Sequence, residues 1–144
     1  MFGKIIIKIS IVILFATLFV TSCSDYITNS TPSIADNNNM LIMPKFTEIQ
    51  TKVFNKTCAT TGCHNTGGVA PDLSGNSYLN IVNKLGSTGI PYIKPNEPNK
   101  SYLYLKVIGD ASIQGQKMPL NSSPLSSATL DAFRKWIEDE AKNN

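Results

Sequence analysis

Two cysteines and the only histidine of the chain stand together in the segment Cys58-Ala59-Thr60-Thr61-Gly62-Cys63-His64. Two thiols followed directly by an imidazole form the pattern by which a chain attaches haem covalently and then binds its iron. The usual pattern has two residues between the cysteines, whereas this segment has four. The extra residues can bulge outward if a flexible residue precedes the second cysteine, and Gly62 supplies that freedom. We therefore expect haem thioethers at Cys58 and Cys63 and an axial iron ligand at His64.

Other chemistries also use cysteine and histidine. A structural zinc site usually takes four Cys or His ligands, whereas the chain after residue 43 has three, all in this segment. A carboxylate would have to complete such a site. A thioredoxin-like redox pair needs two intervening residues and a βαβ context, which the sequence lacks. A Cys58–Cys63 disulfide beside a surface histidine stays open on the sequence alone.

The N-terminal residues have the composition of an export signal. Lys4 and Lys8 give a basic start, and Ile9 to Val20 continues without charge. This uninterrupted run is shorter than the roughly 20 residues that a membrane-spanning helix needs. We therefore predict a signal peptide over residues 1–22. A retained anchor helix and an ordinary secretory signal are the alternatives.

The residues that end this signal, Val20-Thr21-Ser22-Cys23, resemble the lipobox of bacterial lipoproteins. The resemblance implies cleavage before Cys23 and attachment of a diacylglycerol to its thiol. Two or more acyl chains hold a protein at a bilayer far better than one. We expect a lipid-anchored protein of the bacterial cell envelope whose folded domain lies outside the cytoplasm. Ser24, rather than aspartate, favours the outer membrane.

Composition after the signal separates a tether from a domain. Residues 23–43 are rich in Asn, Ser and Thr and show no apolar periodicity, which predicts a flexible tether. The domain is then residues 44–144. The chain has 13 Lys+Arg and 10 Asp+Glu, and loss of Lys4 and Lys8 leaves 11 basic residues against 10 acidic ones. Because no basic stripe with interleaved aromatic residues is present, we expect no nucleic-acid partner.

Apolar periodicity predicts four helices in the domain, and strand patterns are weak. The expected helices cover residues 45–55, 76–85, 101–108 and about 126–141. Gly86 and Gly109 stand where the second and third helices should end. Ser126 or Ser127 is expected to cap the fourth helix. The predicted fold class is therefore all-α.

In their order along the chain, these features resemble a class I c-type cytochrome domain with a stretched haem-binding motif. Besides the cysteine motif, the resemblance rests on Ala70-Pro71-Asp72-Leu73-Ser74, on Lys94 to Tyr104, on Lys117-Met118-Pro119-Leu120, and on Pro124-Leu125-Ser126 before the last helix. It covers almost all of residues 44–144. It implies a small helical domain wrapped around one covalently bound haem c.

The same resemblance implies further site residues. The family places a second axial ligand, a methionine, on a loop before the last helix, and Met118 has that position. Pro119 independently favours Met118 as the ligand, because a proline keeps the preceding residue out of helical geometry. A ligating histidine usually donates its other ring proton to an acceptor; in this family a backbone carbonyl accepts it, and Pro71 resembles the proline of that loop. The expected haem walls, or helix-packing residues, are Phe54, Leu73, Tyr102, Leu105 and Trp136.

Ligation by His64 and Met118 would fill both axial positions of the iron and leave no site for a substrate. The resemblance therefore implies an electron carrier rather than an enzyme, which exchanges single electrons with redox protein partners near the membrane. A five-coordinate haem sensor or peroxidase-like protein is the alternative if Met118 does not bind the iron. The second alternative is a haem-free binding lipoprotein that is closed by a Cys58–Cys63 disulfide.

Overall fold

Helices and connecting loops build the part of the chain that the structure describes. The computed structural model describes residues 41–144, so Cys23, the predicted signal peptide and almost all of the predicted tether lie outside the described residues. Within this range there is no β-strand, and two isolated backbone bridges join Val82 to Ile93 and Leu85 to Pro91. The described chain is therefore helical, as the all-α prediction expects. No helix within residues 41–144 is long and apolar enough to cross a membrane.

The helical elements are short. In chain order they are α1 (Phe46–Ile49), a π-helix that continues it (Gln50–Cys58), α2 (Tyr78–Ile81), a 3-10 turn (Pro98–Lys100), α3 (Tyr102–Ile108) and α4 (Ser127–Glu138). Long loops separate them, and those loops carry most of the residues that the sequence analysis singled out.

The first helix forms where apolar spacing predicts it and extends further than expected. Its apolar side is buried, and its π-helical part runs on to Cys58. The free amides at its start are bound from the far end of the chain. The Asn144 side-chain oxygen accepts from the Phe46 N–H at 2.9 Å, and the Asn144 backbone carbonyl accepts from the Thr47 N–H at 2.9 Å. These bonds satisfy two donors that a helix leaves without an internal partner.

The second helix is shorter than predicted, and the expected cap at Gly86 is wrong. The helix ends at Ile81, because Val82 is extended and the chain then pairs with a later loop. The Asn83 N–H donates to the Ile93 carbonyl at 2.9 Å, and the Ile93 N–H donates to the Ile81 carbonyl at 3.1 Å. Hydrogen bonds to a distant loop thus occupy the backbone N–H and C=O groups that another helical turn would use. Tertiary pairing therefore overrides the local helix propensity.

The third and fourth helices begin close to the predicted residues. α3 ends at Gly109, whose φ of +76° is the left-handed conformation that favours glycine at a helix end. The Ser126 hydroxyl caps α4 by accepting from the Thr129 N–H at 3.2 Å. α4 ends at Glu138, so Ala141 lies beyond the helix although its side chain is buried.

Aromatic side chains join the first, third and fourth helices in one core. The Phe133 ring lies 5.8 Å from that of Phe54, 5.9 Å from that of Tyr104 and 5.9 Å from that of Trp136. Phe133 and Trp136 are fully buried, and the Trp136 Nε1–H donates to the Lys142 carbonyl at 2.8 Å. Each such buried side chain contributes about 1.5–3 kcal/mol to the free energy of unfolding. This core fixes the helices that carry the site.

Candidate cofactor site

The π-helix delivers Cys58 to the site. This helix closes with a bond from the Ala59 N–H to the Phe54 carbonyl, 2.8 Å long and five residues apart. The i→i+5 pattern is rare and occurs often at functional sites. Phe54 and Cys58 both line the cavity described below. The helix thus ends with a half-buried thiol placed beside an aromatic wall.

A closed loop brings the rest of the motif back to the helix end. The Cys63 N–H donates to the Thr60 carbonyl at 2.9 Å, and the His64 N–H donates to the Cys58 carbonyl at 3.1 Å. Gly62 makes the turn with a φ of +78°, a conformation that a side chain would strain. The four residues between the cysteines are therefore accommodated in an internally bonded turn, and the backbones of Cys58 and His64 are joined directly.

Both thiols of the motif are free in this structure. Cys58 is half-buried and Cys63 is exposed, and neither forms a disulfide. Burial, with a smaller contribution from the neighbouring Cys63, raises the pKa of the Cys58 thiol to about 11. A thiol with this pKa is protonated at neutral pH, which suits a side chain in apolar surroundings more than an activated thiolate.

The His64 ring is oriented by a backbone carbonyl five residues later. Its Nδ1 lies 3.0 Å from the Val69 carbonyl oxygen, so the tautomer with hydrogen on Nδ1 donates to Val69 and leaves Nε2 with a free lone pair. The Val69 N–H in turn donates to the Cys63 carbonyl at 2.8 Å. The acceptor is thus Val69, two residues before the Pro71 that the resemblance singled out.

A buried glutamine ties the loop after the motif to the first helix. Gln50 is 5% exposed, and its amide nitrogen donates to the Leu73 carbonyl at 2.8 Å. Its amide oxygen accepts from the N–H of Ser77 at 3.0 Å and from the hydroxyl of Ser77 at 2.7 Å. The Leu73 N–H donates to the His64 carbonyl at 2.8 Å. Gln50 therefore holds the loop to which the histidine is bound.

The same loop carries one carboxylate with a lowered pKa. Asp72 accepts from the Ser74 hydroxyl and N–H and from the Thr66 hydroxyl. These bonds, those of Ser74 first, hold the pKa of the Asp72 carboxyl below its usual value. The Asp72 side chain thus braces the segment between the motif and α2.

One cavity brings the predicted site residues together. It has a volume of about 460 Å³, within the roughly 300–1,000 Å³ common for cofactor pockets. Its walls include every residue within 41–144 that the sequence analysis proposed for binding the haem or its iron: Cys58, Cys63, His64, Pro71 and Met118. Met118 comes from a loop far from the motif in sequence and is half-buried. Two cysteines, a histidine and a methionine therefore line one mostly apolar cavity.

The lining differs from the expected walls in several positions. Phe54, Leu73 and Tyr102 line the cavity as expected, whereas Leu105 and Trp136 belong to the packed core instead. Phe133, Lys106 and Val69 also line the cavity, although the sequence pattern does not predict them there. Phe133 carries a signal in the sequence, because it precedes Trp136 by three residues on the same face of α4. The Val69 carbonyl carries none.

Within residues 41–144, no group of three or more His, Cys, Asp or Glu side chains is placed to hold a metal ion by itself. No protein-family model matches the chain, and no curated protein and no solved structure matches it.

Proposed function

We propose that the protein is a monohaem c-type cytochrome, a lipid-anchored electron carrier of the bacterial cell envelope. The observation that carries this proposal is the convergence of Cys58, Cys63, His64 and Met118 on one cavity. Their thiols, imidazole and thioether are the donor set that a covalently bound haem with His/Met ligation uses. The lining is otherwise largely apolar and aromatic, which suits the faces of a porphyrin.

Each residue has one role in the proposal. Cys58 and Cys63 would hold the haem through thioethers, and His64 and Met118 would supply the nitrogen and the sulfur that bind its iron. The Val69 carbonyl fixes the His64 ring, as the outer partner of a ligating histidine commonly does. Pro71 is buried and lines the cavity beside this loop. When bound, the haem supplies a one-electron Fe(III)/Fe(II) couple.

We also propose that the domain has a small cytochrome c-like fold. A small cytochrome c-like domain needs helices on both sides of the cofactor. Here the first helix delivers Cys58, and α4 contributes Phe133 to the cavity wall. The ring contact between Phe54 and Phe133, at 5.8 Å between centroids, joins these two walls.

Exposed residues at the cavity support a carrier that exchanges electrons with other proteins. Cys63 is exposed, and the apolar side chains of Val69 and Leu120 are 62% and 46% exposed while lining the same cavity. A cofactor held by these residues has an edge near the surface, where a redox protein partner can dock. A lipid on Cys23 and the tether of residues 23–43 would keep this encounter near the membrane.

A haem stain after denaturing electrophoresis tests the proposal. The full chain is produced in a bacterium with a cytochrome c maturation system, and covalent haem is detected by its peroxidase-type activity in the gel. We expect a stained band at the mass of the mature chain. The Cys58→Ala/Cys63→Ala double variant should give no stain, because haem without thioethers dissociates on denaturation.

Cys23→Ser is the matched control, since it removes the cysteine that does not belong to the motif. This variant should keep the haem stain and lose partition into detergent phase. An unstained wild-type chain that is nevertheless helical by circular dichroism would overturn the proposal and favour the haem-free binding protein. A stained chain with a high-spin spectrum would favour the five-coordinate sensor instead.

A further inference from the structure

The loop that carries Met118 has no regular structure of its own, and α3 supplies its hydrogen bonds. The Met118 N–H donates to the Lys106 backbone carbonyl at 2.9 Å. The Lys106 ammonium donates to the carbonyls of Gln114 and Gln116. A single residue of α3 therefore binds the Met118 loop through both its backbone and its side chain.

A second residue of α3 binds the same loop. The Tyr102 hydroxyl accepts from the Gln114 N–H at 3.1 Å. Tyr102 and Lys106 are four residues apart, so they lie on the same face of the helix. Both side chains also line the cavity together with Met118. The backbone of the loop is thus bonded to α3 at Gln114, at Gln116 and at Met118.

The stem of Lys117 adds a packing contact next to the methionine. A side chain at Gly109, the residue that ends α3, would meet the Lys117 Cδ at 2.7 Å. The aliphatic part of Lys117 therefore lies directly on the end of α3. This contact and the hydrogen bonds fix the chain on the N-terminal side of Met118.

The two sides of the cavity are held in different ways. On the histidine side, the loop is bound by its own backbone groups, by the neighbouring Ser74 and Asn80, and by Gln50. On the methionine side, two side chains of α3, one of them charged, bind the loop in addition to the backbone bond of Met118. A hydrogen bond from a charged donor contributes more to stability than one between neutral groups. The Lys106 ammonium makes two such bonds.

We propose that Lys106 and Tyr102 are positioning residues that hold Met118 in place as the second axial ligand. This inference rests on the proposed function, because it assigns a task to residues around the same cofactor. Neither side chain has to touch the iron. Both act by lowering the population of loop conformations in which Met118 has moved away from the cavity.

Competition by imidazole measures that population in the haem-loaded protein. An external ligand binds only where Met118 has left, so its apparent affinity rises with the fraction of open loop. Lys106→Met keeps the aliphatic stem and removes the ammonium, and we expect imidazole to bind roughly tenfold more tightly. Tyr102→Phe removes the hydroxyl that accepts from the Gln114 N–H at 3.1 Å and donates to the Gln114 carbonyl at 3.5 Å. Because these bonds are neutral and one is long, we expect an increase in imidazole affinity of about threefold. Lys106→Arg, which keeps the charge and several donors, should restore much of the wild-type affinity.

Lys135→Met is the matched control, because Lys135 is exposed on α4 and lines no part of the cavity. Its imidazole affinity should equal that of the wild type. In a Met118→Ala background, Lys106→Met should have no further effect, since the ligand that Lys106 positions is gone. Amide hydrogen exchange at Met118 and Gln114 should be faster in the Lys106→Met variant, with or without haem.

The outcomes separate this inference from the proposed function. If wild-type protein gives no covalent haem stain, the proposed function fails and this inference fails with it. If the stain is present and Lys106→Met binds imidazole like the wild type, only the positioning role is overturned. The same result follows if Lys135→Met changes the affinity equally, or if Lys106→Met has its full effect in the Met118→Ala background.

Discussion

The Nδ1 atom of His64 lies 3.0 Å from the backbone carbonyl oxygen of Val69. This contact orients the only imidazole of the chain, and it forms because the loop between the two residues folds tightly on itself. The Gly68 N–H donates to the Asn65 carbonyl at 2.8 Å within that loop. The orientation of the ring therefore depends on a turn without bulky residues at its centre.

Gly68→Ala should disturb this turn. A Cβ at residue 68 would lie 2.1 Å from the Cys63 carbonyl oxygen, so the backbone has to shift. Overpacking of this kind costs about 1–3 kcal/mol. We expect the free energy of unfolding, measured by urea titration with circular dichroism, to fall by that amount. Val69→Ala, which keeps the carbonyl and trims an exposed side chain, should stay within about 0.5 kcal/mol of the wild type.

Gln50→Leu should destabilise the connection between the first helix and the histidine loop. The substitution leaves the Leu73 carbonyl and the N–H and hydroxyl of Ser77 without their partner. Each buried group that loses its hydrogen bond costs about 1–3 kcal/mol. We expect a loss of at least about 2 kcal/mol in the free energy of unfolding. Thr51→Ala, an exposed change on the same helix, is the control, and an equal loss there would contradict the special role of Gln50.

Asp72→Asn should change how stability depends on acid. Hydrogen bonds from Ser74 and Thr66 hold the pKa of Asp72 below its unfolded value. Ionised Asp72 therefore stabilises the fold above the unfolded pKa of about 3.9, and this contribution is lost as pH falls through the lower folded pKa. We expect the wild type to be more stable than the variant near pH 6 and the difference to shrink below about pH 4.

Urea titrations at a series of pH values measure this difference. Asp131→Asn is the control, because it leaves the hydrogen bonds of Asp72 intact. The contribution of Asp72 to the free energy of unfolding should therefore depend on pH in this variant as it does in the wild type. A constant difference between wild type and Asp72→Asn across the acid range would contradict the prediction.

Met118→Ala should alter the haem spectrum under the proposed function. Removal of the thioether opens the second axial position, so the low-spin spectrum should change and the reduction potential should fall. Met43→Ala is the control, since Met43 is 47% exposed and lies outside the cavity lining. An absorption spectrum of Met118→Ala that matches the wild type would reject Met118 as a ligand, and the covalent haem stain should be the same in both variants.

The sequence predicts best those features, such as turns and helix ends, that depend on a few neighbouring residues. Gly62 was expected to supply a flexible turn before Cys63, and it has a positive φ in the structure. Gly109 ends α3 and Ser126 caps α4 as predicted, because both effects act within a few residues. The length of α2 could not be predicted in this way, since its end is fixed by bonds to Ile93.

The candidate site likewise combines features that the sequence predicts with features that only the structure reveals. The motif and the Met118–Pro119 pair are visible in the sequence, and their side chains line one cavity. The acceptor for His64 and the bonds of Lys106 are not visible, because their partners are backbone carbonyls, which every residue has. Which carbonyl a side chain reaches depends on the path of the loop. Side-chain chemistry can therefore be predicted from this sequence, whereas the residues that orient it require the structure.

The hydrogen bonds between Asn144 and the start of α1 bring the two ends of the described segment close together. They join Asn144 to Phe46 and Thr47, which lie 98 and 97 positions earlier, so the start of α1 lies beside residue 144. Nearby termini are the geometry that tolerates circular permutation. If residues 1–40 were removed, a short linker could connect residue 41 to residue 144, and new ends could be opened in an exposed loop away from the cavity. The cavity would then keep both walls, although the methionine loop could precede the cysteine motif in the permuted sequence.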